Sequence, residues 1–126
     1  DFEGKAKAAL DLLTRNDLVY VHMEAPDECG HRGEVQNKVR SIEIIDSIVV
    51  GPLLDYLKNT PYRVLIMPDH PTPLSLKTHV GDPVPYLLYD STAPANGVDS
   101  INEEIAKATG IFVQHGPDIM NRLLQK

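Results

Sequence analysis

The sequence predicts an α/β fold with a mainly parallel sheet and helices on both faces of that sheet. Residues 18–23 and 62–67 form two short apolar runs bounded by turn residues, a pattern typical of buried strands. Between them lies a long segment whose apolar residues recur at spacings of three and four, as on an amphipathic helix. Strand, helix and strand in this order predict a right-handed crossover that joins two parallel strands.

The first elements follow from the N-terminus. A helix is predicted from four apolar residues at helical spacing: Ala6, Ala9, Leu10 and Leu13. Asn16 and Asp17 end this helix as a turn, and the first strand covers residues 18–23. Proline and glycine residues then interrupt the pattern, so residues 24–33 are predicted to be a loop.

The long helix is predicted from six apolar residues: Val35, Val39, Ile42, Ile45, Val49 and Leu53. Gly51 and Pro52 should kink or restart it, because proline cannot donate to the helical ladder of hydrogen bonds. The second strand covers residues 62–67 and a third covers residues 84–89. The loop over residues 68–85 carries five of the ten prolines and should be stiff.

Two further helices are predicted towards the C-terminus. One covers residues 100–109, with Ser100 as its N-cap and Glu103 three residues later. Gly116 and Pro117 open the last helix, which continues through Leu124. With 126 residues the chain has the length of one domain. Because it begins at Asp1 with a helical pattern, we expect it to be a fragment of a longer protein.

Composition narrows the classes of function. The net charge of -6 argues against a nucleic-acid partner, since binding a phosphate backbone needs a basic surface. No apolar run approaches the roughly 20 residues that a membrane span needs, so no membrane partner is expected. The single cysteine, Cys29, cannot form an internal disulfide, which indicates a reducing compartment and predicts a cytoplasmic protein.

Five residues in three short segments are candidate metal ligands: Asp27, His31, Asp69, His70 and His79. Carboxylate oxygens and imidazole nitrogens are ligands that suit zinc, manganese and similar divalent ions. Asp27 and His31 are four residues apart and would converge on one ion if their loop begins a helical turn. Asp69 and His70 follow a predicted strand and lie between two prolines that restrict the backbone.

Each group also has a plainer interpretation. Asp27 could cap the next helix beside a solvated His31, residues 68–71 could form a simple turn, and His79 could be a surface residue. The predicted topology favours the metal interpretation, because a right-handed crossover places the carboxyl ends of both strands at the same edge of the sheet. Two carboxylates and three imidazoles would then meet in one place.

Three ordered motifs carry a resemblance to a known family: residues 19–31, 68–73 and 78–85. In these motifs the chain resembles the cofactor-independent phosphoglycerate mutases, particularly their archaeal-type branch, within the alkaline phosphatase superfamily. The resemblance covers nearly the whole chain and implies part of an alkaline-phosphatase-like core. It identifies residues 1–126 as the C-terminal part of a metal-dependent phosphotransfer domain whose N-terminal part is absent.

The resemblance also implies a function and the roles of the candidate residues. Members interconvert 2- and 3-phosphoglycerate through a phosphoserine, with two divalent ions that are often manganese; magnesium or zinc is the alternative. By resemblance, Asp27, His31 and His79 would hold one ion, and Asp69 and His70 the other. The family's nucleophilic serine matches no position here, so no catalytic residue is assigned in this chain and the fragment itself is expected to be inactive.

Two alternatives to the mutase remain open. A related metal-dependent phosphatase or a homoserine-kinase-like phosphotransferase would keep the same metal ligands and change the substrate. A non-catalytic metal-binding or interaction domain would retain the loops without the reaction. The expected partner is a phosphorylated small molecule, and self-association of the fragment would follow if missing strands expose a sheet edge.

Overall fold

The computed structural model describes residues 1–95 and 97–125, and the chain divides into two compact units. The first unit comprises residues 1–60 and 72–80, and the second comprises residues 61–71 with the described residues from 81 onward. Helices combine with a small two-stranded antiparallel sheet in the described part of the chain, so the fold is mixed α/β. The mainly parallel sheet predicted from the sequence is not confirmed.

The first unit is helical. Its elements are α1 (Phe2–Leu13), α2 (Ala25–Arg32), α3 (Val35–Ile44), a π-helical segment (Ile45–Val50) and α4 (Gly51–Leu57). Helix α1 contacts both the π-helical segment and α4, and it buries the small side chains of Ala6 and Ala9. Val49 is also buried, so small residues on α1 allow a close approach between these helices. The first predicted helix is therefore confirmed.

The long helix predicted from residue 35 is present, but it changes type at residue 45. The backbone N–H of Gly51 donates to the carbonyl of Asp46, five residues back instead of four. Pro52 has no N–H, and its ring would clash with the carbonyl four residues before it, so a wider turn ahead of it relieves the clash. The predicted interruption at Gly51 and Pro52 thus takes the form of a π-helical segment.

The apolar stripe on α3 faces solvent. Val35, Val39 and Ile42 are 57%, 53% and 53% exposed, whereas Val49 further along is 3% exposed. The spacing of these residues predicts the helix correctly, but it does not say which of them another element covers. Such a stripe favours self-association, which stays a prediction.

Two predictions for residues 18–33 are wrong. Leu18–Met23 is not a strand, because a strand needs a hydrogen-bonded neighbour and no described segment pairs with this one. The loop predicted over residues 24–33 is largely helix α2. Pro26 stands in the first turn of α2 and Gly33 follows its last residue in a left-handed conformation, so these residues delimit a helix.

The second unit contains β1 (Arg63–Ile66), β2 (Leu87–Asp90), α5 (Glu103–Ala108) and α6 (Asp118–Leu124). The strands pair antiparallel, with Arg63 opposite Asp90. Both strands lie where the sequence predicts strands, but β1 pairs with the next strand along the chain. The parallel pairing predicted for residues 62–67 is therefore not formed in the described residues, because its expected partner at residues 18–23 is not part of the sheet.

Polar contacts fix the ends of this second unit. The Arg63 Nε donates to Asp90 Oδ2 at 2.7 Å, and an Arg63 Nη donates to the carbonyl of Leu123 at 3.2 Å, which ties α6 to β1. Helix α5 begins at Glu103, three residues later than predicted. Asn102 caps it by accepting from the N–H of Ile105 at 2.8 Å, so the predicted Ser100 cap is wrong.

Candidate metal centre

Helix α2 places two candidate ligands on one face. Asp27 lies in its first turn, where a negative charge is favoured by the helix dipole, and His31 lies in its last turn. Residues four apart on a helix are neighbours on its surface, and His31 Nε2 lies 3.4 Å from Asp27 Oδ2. Asp27 and His31 are expected to converge if their segment begins a helical turn, and the segment forms a complete short helix.

His79 completes a cluster with these two residues inside the first unit. His79 Nε2 lies 3.0 Å from His31 Nε2 and 3.2 Å from Asp27 Oδ1. The two imidazole rings are tilted by 48° with their centroids 4.8 Å apart, so they do not stack flat. Three side chains from two separate segments thus turn their donor atoms towards one point.

The spacing of these donor atoms fits a bound divalent ion. For metal–ligand bonds of about 2.1 Å, neighbouring ligand atoms lie about 3.0 Å apart in an octahedral shell and about 3.4 Å apart in a tetrahedral one. The three separations among Asp27, His31 and His79 run from 3.0 to 3.4 Å. Two imidazoles and one carboxylate are also a donor set that zinc and manganese accept.

The orientation of His31 is set by its other ring nitrogen. Nδ1 lies 3.0 Å from the carbonyl oxygen of Lys77, and a carbonyl can only accept, so Nδ1 carries the proton. In the neutral ring this leaves a lone pair on Nε2, the nitrogen that faces Asp27 and His79. A backbone carbonyl behind a histidine ligand is a common means of fixing its tautomer in metal sites.

Asp27 is held by a second residue from the loop. The Thr72 hydroxyl donates to Asp27 Oδ1, and the Thr72 carbonyl accepts from Lys38 Nζ at 2.8 Å. Thr72 itself is 5% exposed, so its rotamer is restricted by packing. Helices α2 and α3 therefore both bind the loop at the residue that orients Asp27.

The glycine in the Cys29-Gly30-His31 stretch has a steric reason. A β-carbon at Gly30 would lie 2.7 Å from the Thr72 carbonyl oxygen and 2.9 Å from Thr72 Cγ2. Carbon atoms do not approach a carbonyl oxygen so closely, so only glycine allows α2 and the loop to meet here. Cys29 is buried beside it, which agrees with a packing role.

The turn between α2 and α3 is tied by exposed charges. Arg32 Nε donates to Glu34 Oε1 at 2.8 Å, and an Arg32 Nη lies 3.3 Å from Glu28 Oε2. Hydrogen bonds from Asn37 and then Arg32 lower the pKa of Glu34, and the Glu34 and Glu28 carboxylates raise the pKa of Arg32. This network holds the turn that follows His31.

The remaining two candidates lie in the second unit. The backbone N–H of His70 donates to Asp69 Oδ1 at 3.1 Å, and His70 Nε2 lies 3.4 Å from Asp69 Oδ2. The two side chains therefore turn towards each other directly after β1, as expected for a pair that could share an ion. That Asp69 and His70 join the other three residues in one pocket stays a prediction.

Three residues that orient the cluster are absent from the sequence-based set: Thr72, Lys38 and Lys77. The Lys38 side chain donates to the Thr72 carbonyl, and Lys77 contacts His31 through its own carbonyl. Every residue has a backbone carbonyl, so the sequence does not indicate either contact. Thr72 is the exception, because its hydroxyl lies within the Pro-Thr-Pro stretch between two candidate ligands. A polar residue fixed between two prolines could have been singled out as a partner for a ligand.

The comparisons with known proteins cover nearly all of the chain. A model of the metalloenzyme superfamily matches residues 1–126. The 2,3-bisphosphoglycerate-independent phosphoglycerate mutase of Methanosarcina mazei is 40% identical over 99% of this chain. A protein of Geobacter sulfurreducens, named a probable 2,3-bisphosphoglycerate-independent phosphoglycerate mutase, is 44% identical over 100% of it. The chain spans 32% of the length of each of these relatives.

A solved structure is also similar to this chain. The PH0037 protein from Pyrococcus horikoshii superposes with a TM-score of 0.77 at 31% sequence identity. The match covers 86% of this chain and 32% of that one. The likeness thus extends over most of the present chain and about a third of each relative. In the described residues, no helix has both the length and the apolar composition for crossing a bilayer.

Proposed function

The chain belongs to the metalloenzyme superfamily, and we propose that it is the C-terminal part of a 2,3-bisphosphoglycerate-independent phosphoglycerate mutase. In this proposal residues 1–126 are part of a metal-dependent phosphotransfer domain with an alkaline-phosphatase-like core. Relatives that carry the mutase name are 40% and 44% identical to it, which supports the proposal. The longer enzyme would interconvert 2- and 3-phosphoglycerate by moving the phosphate through a serine.

The observation that carries the proposal is the cluster of Asp27, His31 and His79. Their donor atoms lie 3.0 to 3.4 Å apart, as neighbouring ligands of one ion do. A histidine pair and a carboxylate that only met on the surface would have no need for the carbonyl of Lys77 and the hydroxyl of Thr72 behind them. The arrangement therefore supports a metal-binding role over a purely structural one.

We assign one divalent ion to Asp27, His31 and His79, and a second to Asp69 and His70. Manganese is our first choice, with magnesium or zinc as alternatives. When bound, the ions would polarise the phosphoryl oxygens and lower the pKa of an attacking hydroxyl. Asp27 and Asp69 supply negative charge that offsets the cations, and the imidazoles bind in their neutral form.

The nucleophile is not assigned to any residue of this chain. The three motifs that carry the resemblance contain the metal ligands, and the family's phosphorylated serine matches no position in them. We therefore propose that this segment holds the ions and that the attacking group comes from elsewhere in the longer protein. The 126-residue chain alone should not turn over 3-phosphoglycerate.

Metal titration of the chain tests the core of the proposal. Calorimetry and the manganese electron paramagnetic resonance signal should show saturable binding of Mn²⁺ to the chain. His31→Ala and His79→Ala should each lower the affinity by more than the roughly 10–100-fold that changes behind a ligand cost. His115→Ala is the matched control, because His115 is an exposed histidine of the second unit paired with Asp118.

The results separate the alternatives. Absence of saturable binding to the wild-type chain, or an equal loss in His115→Ala, would contradict the metal site. A longer protein that contains this segment should interconvert 2- and 3-phosphoglycerate, and Asp27→Asn should abolish that activity. Binding without any activity in the longer protein would point to a non-catalytic metal-binding domain. Hydrolysis without interconversion would point to a phosphatase.

A further inference from the structure

Lys77 has an unusual backbone conformation close to the candidate metal centre. Among the described residues it is the only non-glycine residue with a positive φ, at 55°. Residues with a side chain rarely adopt the left-handed region, because the β-carbon then crowds the backbone. The surrounding contacts must therefore hold Lys77 in this conformation, and such residues are concentrated at functional sites.

Both backbone groups of Lys77 make hydrogen bonds. Its N–H donates to the carbonyl of Pro73 at 2.8 Å, and its carbonyl accepts from His31 Nδ1 at 3.0 Å. The first bond closes the turn over residues 73–77, and the second reaches 46 positions back along the chain to α2. The left-handed conformation is what lets one residue point its carbonyl away from its own turn and towards His31.

The side chain of Lys77 lies across the end of α2. A β-carbon at Gly33 would lie 2.7 Å from Lys77 Cε and 3.2 Å from its Nζ, so the stem occupies the space that Gly33 leaves open. Gly33 itself has a φ of 70° where α2 ends. A positive charge near the carbonyl end of a helix is favourable. The Lys77 side chain thus makes a contact of its own, and a test must separate its effect from that of the Lys77 backbone.

We infer that Lys77 is a positioning residue for the metal centre: its left-handed backbone turns the carbonyl to His31 Nδ1 and so keeps the Nε2 lone pair facing Asp27 and His79. The inference rests on the proposed metal site. It adds that the orientation of the ligand His31 depends on the φ angle of Lys77, a residue that binds no metal. The backbone of residue 77, and not its ammonium group, is the part that matters.

Two substitutions separate the backbone from the side chain. Lys77→Asn and Lys77→Val both remove the stem and the charge. Asparagine adopts the left-handed region readily, whereas valine, branched at Cβ, resists it. Titration of each variant with Mn²⁺ should give near wild-type affinity for Lys77→Asn and roughly 10–100-fold weaker binding for Lys77→Val. Lys58→Val is the control, since Lys58 is an exposed lysine with an ordinary φ of -53°.

A spectroscopic measurement gives a second readout that loss of stability alone would not move. The ¹⁵N chemical shifts of the His31 ring in the metal-free chain should show a proton on Nδ1 in the wild type and in Lys77→Asn. In Lys77→Val the proton should move in part to Nε2. This measurement on the wild type needs no variant to fold, so it tests the inference by itself.

Each outcome bears on the inference. Wild-type affinity in Lys77→Val, or equal weakening in Lys77→Asn and Lys77→Val, would overturn it, as would an Nε2-protonated His31 in the wild type. Failure of the wild-type chain to bind Mn²⁺ would instead reject the proposed metal site. Weak binding by Lys77→Val alone, with the tautomer shift, would establish the positioning role.

Discussion

The hydroxyl of Thr72 donates a hydrogen bond to Oδ1 of Asp27, 45 positions earlier in the chain. The same oxygen lies 3.2 Å from His79 Nε2, while the other carboxylate oxygen faces His31. Thr72 therefore determines which oxygen of Asp27 faces each imidazole. Replacing a partner behind a metal ligand typically lowers metal affinity roughly 10–100-fold.

Replacing Thr72 should weaken metal binding through this hydrogen bond. Thr72→Val keeps the shape of the buried side chain but removes the hydroxyl, so the affinity for Mn²⁺ should fall roughly 10–100-fold in a calorimetric titration. Thr72→Ser keeps the hydroxyl and should bind nearly as well as the wild type. Equal affinities in Thr72→Val and the wild type would show that the contact does not orient Asp27.

Gly30 should not tolerate even one added carbon atom. The β-carbon of Gly30→Ala would press on the backbone carbonyl of Thr72, and overpacking of this kind costs about 1–3 kcal/mol in the free energy of unfolding. Because Thr72 would be pushed away from Asp27, metal affinity should fall as well. Urea denaturation and Mn²⁺ titration measure the two effects.

Gly51→Ala provides the control for that substitution. A β-carbon at Gly51 would lie 3.4 Å from the Asp46 carbonyl, an ordinary contact, so the replacement should stabilise the chain by about 0.5–1 kcal/mol through helix propensity. If Gly30→Ala were as stable as Gly51→Ala, the close approach between α2 and residue 72 would not exist in solution.

Acid should weaken the second unit through Asp90. Hydrogen bonds from the Thr92 hydroxyl, then from Arg63 and the Thr92 N–H, lower the pKa of Asp90 to about 2 from its usual 3.8. Because the folded pKa is the lower one, the stabilisation is present in full above pH 3.8 and is lost as the pH falls towards 2. The free energy of unfolding of the wild type should therefore decline across this window.

Asp90→Asn removes the titrating group and tests that assignment. The variant should be less stable than the wild type at pH 6, and the difference should shrink between pH 4 and pH 2 in urea titrations at each pH. Asp99→Asn, at an exposed aspartate of the same unit, should keep the wild-type pH dependence. A gap between Asp90→Asn and the wild type that stays constant with pH would contradict the role of Asp90.

Residues 18–23 should behave differently in this chain and in a longer protein. We propose that this apolar run becomes a strand of a larger, mainly parallel sheet once a neighbouring strand is available. In the 126-residue chain its amides should exchange with solvent much faster than those of Val64 and Ile66 in β1, whose positions in the register are the hydrogen-bonded ones opposite β2. In the longer protein the rates should become comparable, and unchanged fast exchange there would contradict the proposal.

Local features of the sequence predict the structure well where the determinants are local. The spacing of Ala6 and Ala9 predicts α1, and the runs at residues 62–67 and 84–89 predict β1 and β2 within a few residues. The separation of four between Asp27 and His31 correctly indicates that the two side chains lie next to each other, whereas their binding of one ion stays a prediction. Helical periodicity and short apolar runs need no knowledge of distant neighbours.

Features that depend on distant partners could not be predicted in this way. Strand pairing is decided by which segments are available, and the apolar run at residues 18–23 does not reveal that it stays outside the sheet of the described residues. Helix α2 was predicted as a loop because Pro26 and Gly33 are compatible with both structures. The contribution of Lys77 comes from a backbone angle and a carbonyl, and neither is visible in the identity of the residue.

Because of the wide π-helical turn before Pro52, the packing of the first unit depends on the number of residues in the segment 45–50. In residues 45–50 the hydrogen bonds join residues five apart, whereas those of an α-helix join residues four apart. Each residue of an α-helix turns the chain by about 100°. Deleting a single residue here would let the stretch wind regularly from α3 to α4 and would turn Val49 out of its buried position. Substitutions that keep the number of residues can be absorbed, whereas insertions and deletions would put the two ends of this long helix out of phase.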